Sequence, residues 1–190
     1  MQWLFGRSVG NVDLTSWHQR PYTPGVELGP RPHDNRDNHE RVVAQERPGP
    51  PQAIARRLAD AILRFDVFPP TLATPIVART PVEVGDVVGL RYRFVPGIDL
   101  VFAARVYDRF DEVVGDQWRC GFRYRTLVGH PECGEETFTV EKNLTTGAIT
   151  VALRSWSRPE SWLARIAYPI VRRLQLQAGR SALGHLQTLI

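Results

Sequence analysis

Residues 117–142 read "QWRCGFRYRTLVGHPECGEETFTVEK", and the period of this stretch decides the fold. Trp118, Phe122 and Tyr124 alternate with Arg119, Arg123 and Arg125, and a second alternating run follows in "ETFTVEK". Between the runs, "GHPECG" at 129–134 carries Gly129, Pro131 and Gly134, which break regular structure. A period of two marks strands with one wet and one buried face, and so short a connection makes them antiparallel neighbours.

The same period extends on either side, from about 75 to 156. "DVVGLRYRFV", "DLVFAARVYDRF" and "AITVALRSW" alternate in the same way, with turn signals in "PG" at 96–97, "DEVVGD" at 111–116 and "TTG" at 145–147. Upstream, "PPQAIARRLADAILRFDVFPP" reads as a helix. Ile54, Leu58, Ile62 and Phe65 share one face, while Arg56, Arg57, Asp60 and Arg64 share the other. Downstream, "SRPE" at 157–160 has the spacing of a capping box, with Ser157 as cap and Glu160 reaching back. A helical stripe follows through Trp162, Ile166, Ile170, Leu174, Ala178 and Leu186, and Pro169 is expected to bend that helix near Arg165–Tyr168.

Residues 1–40 are rich in proline, glycine and polar groups, yet include Trp3, Leu4, Phe5 and Trp17. They are expected to form an extended, partly ordered arm, followed by a single domain over 41–190; "ERVVAQE" within 40–46 has the short apolar run of a strand. Antiparallel strands with helices on one face make an α+β domain. The expected fold is a curved antiparallel sheet wrapped around a long C-terminal helix, the helix-grip arrangement of Bet v 1-like and START proteins. A hot-dog fold places its long helix early, whereas here the longest comes last.

Composition bounds the function classes. A hydrophobic fraction of 43% and a charged fraction of 23% suit a globular domain, and no apolar run is long enough to cross a membrane. The opening "MQWLFGRSVG" does not read as a secretory signal, so the cytoplasm is the expected location. Cys120 and Cys133 make no disulfide framework. The net charge of +4 comes almost wholly from arginine, and it is spread along the chain instead of forming the patch that nucleic acid requires. No nucleotide-binding fingerprint occurs, and no cofactor is expected.

Three stretches, "AILRFDVFPP", "GFRYRTLVGHPECGEETFTV" and "RSWSRPESWLARIAYPIVRRLQLQ", together resemble the family of domain of unknown function 1990, also called uncharacterised protein family 0548. Its members carry a tract like F-G-F-x-Y-G-T-L-x-G-H-x-E-x-G-E-E-x-F, then F-S-R-P and a helix rich in arginine and leucine. The resemblance spans about residues 40–188; Arg125 stands where members often have glycine and Trp156 where they often have phenylalanine. It implies a shared fold of the helix-grip kind and no particular activity.

The turn at 129–136 is open to two readings. His130 is a candidate acid or base near neutral pH, with Glu132, Glu135 or Glu136 to orient it. Alternatively His130 caps backbone groups of a hairpin, and the glutamates pair with Arg123 or Arg125 across the strands. A metal held by His130, Cys133 and a glutamate lacks a second histidine at ligand spacing, so no metal site is expected. The sheet arginines Arg91, Arg93, Arg105, Arg119, Arg123 and Arg125 are expected to face solvent and pair with Glu136, Glu141 or Asp108.

An apolar ligand site is the remaining candidate. Tyr92, Phe94, Phe122, Trp156, Trp162 and Ile166 would meet between sheet and last helix, with Tyr124, Thr126, Ser155 and Arg158 as its polar and charged members. Three functions follow. The first is binding of a small apolar or amphipathic molecule in that cavity. The second is an enzyme of the same shape (a cyclase, hydrolase or isomerase) using His130 and Glu135 or Glu136. The third is a ligand-free interaction module, with a homodimer as one form.

Overall fold

The computed structural model describes residues 2–5, 14–95, 98–160 and 168–190, and only the backbone of 2–5, 94, 95, 98 and 169–171. Phe94 thus has a described backbone without a described side chain, and Trp162 and Ile166 lie outside the described residues. In chain order the elements are β1 (Gln2–Phe5), α1 (Thr15–His18), a 3₁₀ turn at Val26–Leu28, β2 (Asn35–Gln45), α2 (Ala53–Leu63), β3 (Ala73–Ile76) and β4 (Val87–Val95). They continue with β5 (Ile98–Val114), β6 (Gln117–Thr126), β7 (Glu132–Asn143), β8 (Ala148–Pro159) and α3 (Tyr168–Gln187).

One antiparallel sheet has the order β2-β8-β7-β6-β5-β4-β3, with β1 added to β5. Strands β3 to β8 form the meander that the alternation and turn residues specify, and β2 takes the edge beside β8. Between its two edge strands the chain crosses the inner face of the sheet as α2, which lies on β6 and β7, while α3 lies along β2 and β8. This is an α+β helix-grip sheet, curled as a half-barrel around its helices. None of the described helices is long and apolar enough to cross a membrane.

The inner face is filled at the α2 end. Leu58, Ala59 and Ile62 of α2 meet Phe122, Phe138, Val140 and Val151 of the sheet, together with Ala182, Leu183 and Leu186 of α3. Phe65 takes the left-handed conformation just beyond α2 (φ 59°), which ordinarily favours glycine. Its ring is held edge-on to Phe122 and Phe138, each 5.6 Å away, so burial offsets the backbone cost. At the start of α2, Glu46 accepts hydrogen bonds from the Gln52, Ile54 and Ala55 amides at 2.7–3.0 Å. Lys142, fully buried, donates to the same carboxylate at 2.9 Å and to the Pro50 carbonyl at 2.8 Å.

Two local expectations change. The "DEVVGD" and "GHPECG" signals overstate the turns: β5 continues to Val114, and β7 begins at Glu132, which puts Cys133 and Gly134 in the ladder. Ser157 is no helix cap, because β8 runs on to Pro159 and Ser157 pairs with Gly134 and Asn35. Ladder bonds on both sides outcompete a local cap. The expected bend near Arg165–Tyr168 falls largely in residues 161–167, which lie outside the described residues.

The outer face is partly covered by residues 14–34. Leu14 and Trp17 pack on Val87, Ala103 and Leu127, while Val26 packs on Cys133 and Trp156. Arg158 anchors this layer, reaching Asp34 at 2.9 Å and the Gly25 carbonyl at 3.1 Å.

Candidate functional site

A polar row crosses the inner face next to the filled core. Direct register partners place side chains on the same face of a sheet, so Tyr124 (β6), Glu136 (β7), Ser155 (β8) and Asp37 (β2) line up across four strands. The neighbouring row on one side is apolar, with Phe122, Phe138 and Leu153. On the other side lie Gly134, Ser157 and Asn35 in register, with Thr126 accepting a 3.0 Å hydrogen bond from the Gly134 amide. Gly134 is required there, because a Cβ would come within 2.3 Å of the Trp156 carbonyl oxygen.

The first half of α3 covers these rows. Tyr168 donates to Asn35, Arg172 forks onto both oxygens of Asp37, and the Gln175 amide donates to Glu132. Glu132 itself is 7% exposed and accepts from the Ser157 hydroxyl at 3.4 Å. Farther along α3, Gly179 lets the helix close on β2, since a Cβ there would lie 2.4 Å from the His39 ring.

Burial dominates the electrostatics. It pushes the Glu136 carboxyl up to about 7, against the opposing Tyr124 hydrogen bond, with Asp37 adding repulsion. It likewise pushes Glu132 up to about 7, with further repulsion from Glu136 and Asp37 and relief from Ser157 and Arg172. The Tyr124 hydroxyl is raised well above its ordinary value by burial and by Glu136. His130 is driven the other way, down to about 3, because the interior disfavours the imidazolium. Glu136 and His130 each keep some accessible surface, being half-buried.

His130 sits in the β6–β7 turn with its ring edge-on to Phe102, at 4.9 Å. Its Nδ1 lies 3.1 Å from the Glu132 amide and 2.9 Å from the Glu132 carbonyl oxygen, so the ring is fixed by backbone. With Phe65, Val88, Leu90, Phe102 and Tyr124 it lines a recess that has room for about one water. His130 and Glu136 therefore border the same region through Tyr124, but no direct bond joins them.

The other candidates divide by parity. Glu135 points outward and pairs with Arg125 at 3.1 Å, as the hairpin reading of the turn has it, while Glu136 points inward and, among the described residues, pairs with no arginine. Arg123 pairs with Asp108 at 3.2 Å on the outer face, and Arg91 with Asp99 at 2.6 Å. Trp156 and Arg158 also face outward, under residues 22–34, away from the space between sheet and α3. Tyr92 and Phe122 lie in the filled core. Cys133 is buried on the outer side with its thiol pushed up by burial, the opposite of an activated nucleophile. The alternation did not reveal Asp37, Tyr168, Arg172 and Gln175, which meet the row only through the pairing of β2 with β8 and the placement of α3.

Comparison with known proteins agrees with this architecture. A hypothetical protein of Helicobacter pylori superposes with a TM-score of 0.55 at 13% identity, covering 82% of this chain and 87% of that one; at this identity the likeness is one of fold. Norcoclaurine synthase of Thalictrum flavum, solved with dopamine and hydroxybenzaldehyde, gives a TM-score of 0.45 at 12% identity over 82% of this chain and 86% of that one. A UPF0548 protein of Dictyostelium discoideum is 34% identical over 107 residues, which are 51% of this chain and 48% of that protein, so the chain spans about half the length of this curated relative. A family model described as domain of unknown function (DUF1990) matches residues 23–184, and the chain belongs to that family.

Proposed function

We propose that this protein binds a small amphipathic molecule between the inner face of the sheet and the first half of α3. The observation that carries the reading is the row Tyr124–Glu136–Ser155–Asp37, set beside an aromatic core. Carboxyls are rarely buried without a cation, because desolvation costs several kcal/mol (on the order of one pKa unit per 1.4 kcal/mol). A fold that needed only a core would be more stable with apolar residues at 132 and 136. The aromatic side supports an apolar body, and the row supports a polar end.

The test is titration with Nile red, a neutral dye that fluoresces on leaving water. The wild type should bind it saturably, and Ser155→Trp, which fills the middle of the row, should not. Equal binding by both proteins would contradict this location.

A second reading is favoured by one feature. Tyr124 and Glu136 share a 2.5 Å hydrogen bond, and Glu136 is poised near neutrality, as acid–base catalysis requires. In this reading Glu136 exchanges a proton with the bound molecule, while Tyr124 orients the carboxyl and His130 remains neutral. Turnover by the wild type that Glu136→Gln abolishes, without loss of binding, would distinguish it from simple binding.

A further inference from the structure

Strand β2 is an edge of the sheet: one side pairs with β8, and the order of strands ends there. An open edge carries a row of backbone N–H and C=O groups that can pair with another chain. Helix α3 lies over the inner side of this edge, where Arg172 holds Asp37 and Arg41 donates to Gln187 at 3.0 Å. The outer side is bare. Arg36, Asn38, Glu40 and Val42 are all exposed there, Val42 to 64%, and no carboxylate among the described residues pairs with Arg36. The opposite edge, β3, is only four residues long and contains Pro75, which has no N–H to give.

The charges along β2 are self-complementary. When the strand lies antiparallel to a copy of itself with Asn38 opposite Asn38, Arg36 falls opposite Glu40 and Asp37 opposite His39, each twice by symmetry. Asp37 is already held by Arg172, so the two outer Arg36–Glu40 pairs are the free ones. Glu40 meets Asn38 and Arg154 through Oε2, and its Oε1 takes no partner among the described residues. A shift of two residues one way sets Asp37 against Asp37, and the other way sets Arg36 against Val42 and Glu40 against Asn38. A shift of one residue turns the inner face of one copy onto the outer side of the other. The ladder to β8 is regular from Asn35 to Val42, and its irregularity falls between Val42 and Ala44, beyond the stretch such pairing uses. Charges on an edge strand ordinarily resist pairing; here they select one register for it.

We propose that two copies of this chain associate edge to edge, β2 against β2 about a twofold axis through Asn38, which joins their sheets into one. The partner is a second copy because the order Arg36-Asp37-Asn38-His39-Glu40 matches itself in reverse. Exposed ion pairs add little affinity, so the ladder bonds supply the attraction and the charges fix the register. Asp37 ends the polar row in this same strand, so the interface borders the row on the inner face and stands independently of what that row binds.

The test is sedimentation velocity of the full chain from about 2 to 200 μM, over which the wild type should pass from monomer to dimer. Arg36→Glu and Glu40→Arg, each checked for folding by circular dichroism, set like charges opposite one another and should each weaken association at least tenfold. Mixed in equal amounts, the two variants should recover the affinity of the wild type, because each then meets its opposite charge in the other. Hydrogen exchange of the wild type should show amides within 35–41 slowed at the high concentration. A wild type that stays monomeric throughout, a variant that dimerises as tightly as the wild type, or a mixture no tighter than its components would overturn the proposal. Dimerisation that leaves exchange at 35–41 unchanged would overturn it as well, by placing the interface elsewhere.

Discussion

Tyr124 and Glu136 are direct partners across the β6–β7 ladder, and the tyrosine hydroxyl donates a 2.5 Å hydrogen bond to a glutamate that, among the described residues, no cation pairs with. This pair joins the aromatic core to the polar row, and it sets the pH behaviour of the fold.

The carboxyls of Glu132 and Glu136 are raised from 4.5 to about 7. Between those values the folded chain binds more protons than the unfolded one, so stability is highest below about pH 4.5 for these groups and falls as pH rises to 7. Each contributes up to about 3 kcal/mol of this loss. Glu136→Gln should therefore raise the melting temperature at pH 8 and change it little at pH 4.5, as thermal denaturation at the two pH values would read. Unchanged stability at pH 8 would mean that the carboxyl is solvated.

His130 acts in the opposite direction. Its imidazole is lowered from 6.5 to about 3, so the unfolded state takes up the proton first and stability falls as pH drops from 6.5 toward 3. The wild type should then show a flattened profile between pH 4.5 and 6.5, where the glutamates and the histidine offset one another. His130→Phe should remove the acid-side loss and leave stability that rises steadily as pH falls to 4.5. Denaturant midpoints taken across this range would show it.

Tyr124→Phe removes the hydrogen bond that holds Glu136 down, so the carboxyl should titrate at a still higher pH than in the wild type. Carbon-13 NMR of the labelled glutamate carboxyls would follow the shift. A fall would show that the tyrosine stabilises the protonated acid instead.

At the far end of the inner face, Lys142 and Glu46 form a buried pair that also fixes the start of α2. Lys142→Ala leaves Glu46 buried without its cation and should cost about 3–5 kcal/mol, measured by urea denaturation. A loss under about 1 kcal/mol would place this pair in water.

Much of the architecture was legible because the alternation is strict. The run from Trp118 to Tyr124 specifies an inner and an outer face, and Phe138 extends the same parity to β7, which separates Glu136 from Glu135. Parity also separates Ser155 from Trp156 and Arg158, although large aromatic size drew Trp156 into the expected pocket. The outer face there is not bare, since Val26 covers Trp156. Asp37 and Arg172 were beyond reach for another reason. They lie 135 residues apart, and their meeting depends on which edge β2 takes and on how closely Gly179 lets α3 approach it. The capping-box spacing at Ser157 misled because a local motif competes with ladder pairing, and here pairing on both sides wins.

Native mass spectrometry of the full chain purified from its own host tests the central claim most directly. The account predicts a small-molecule adduct on the wild type, released by organic solvent and absent from a folded Ser155→Trp variant. A wild type that carries no adduct and takes up no Nile red would contradict it.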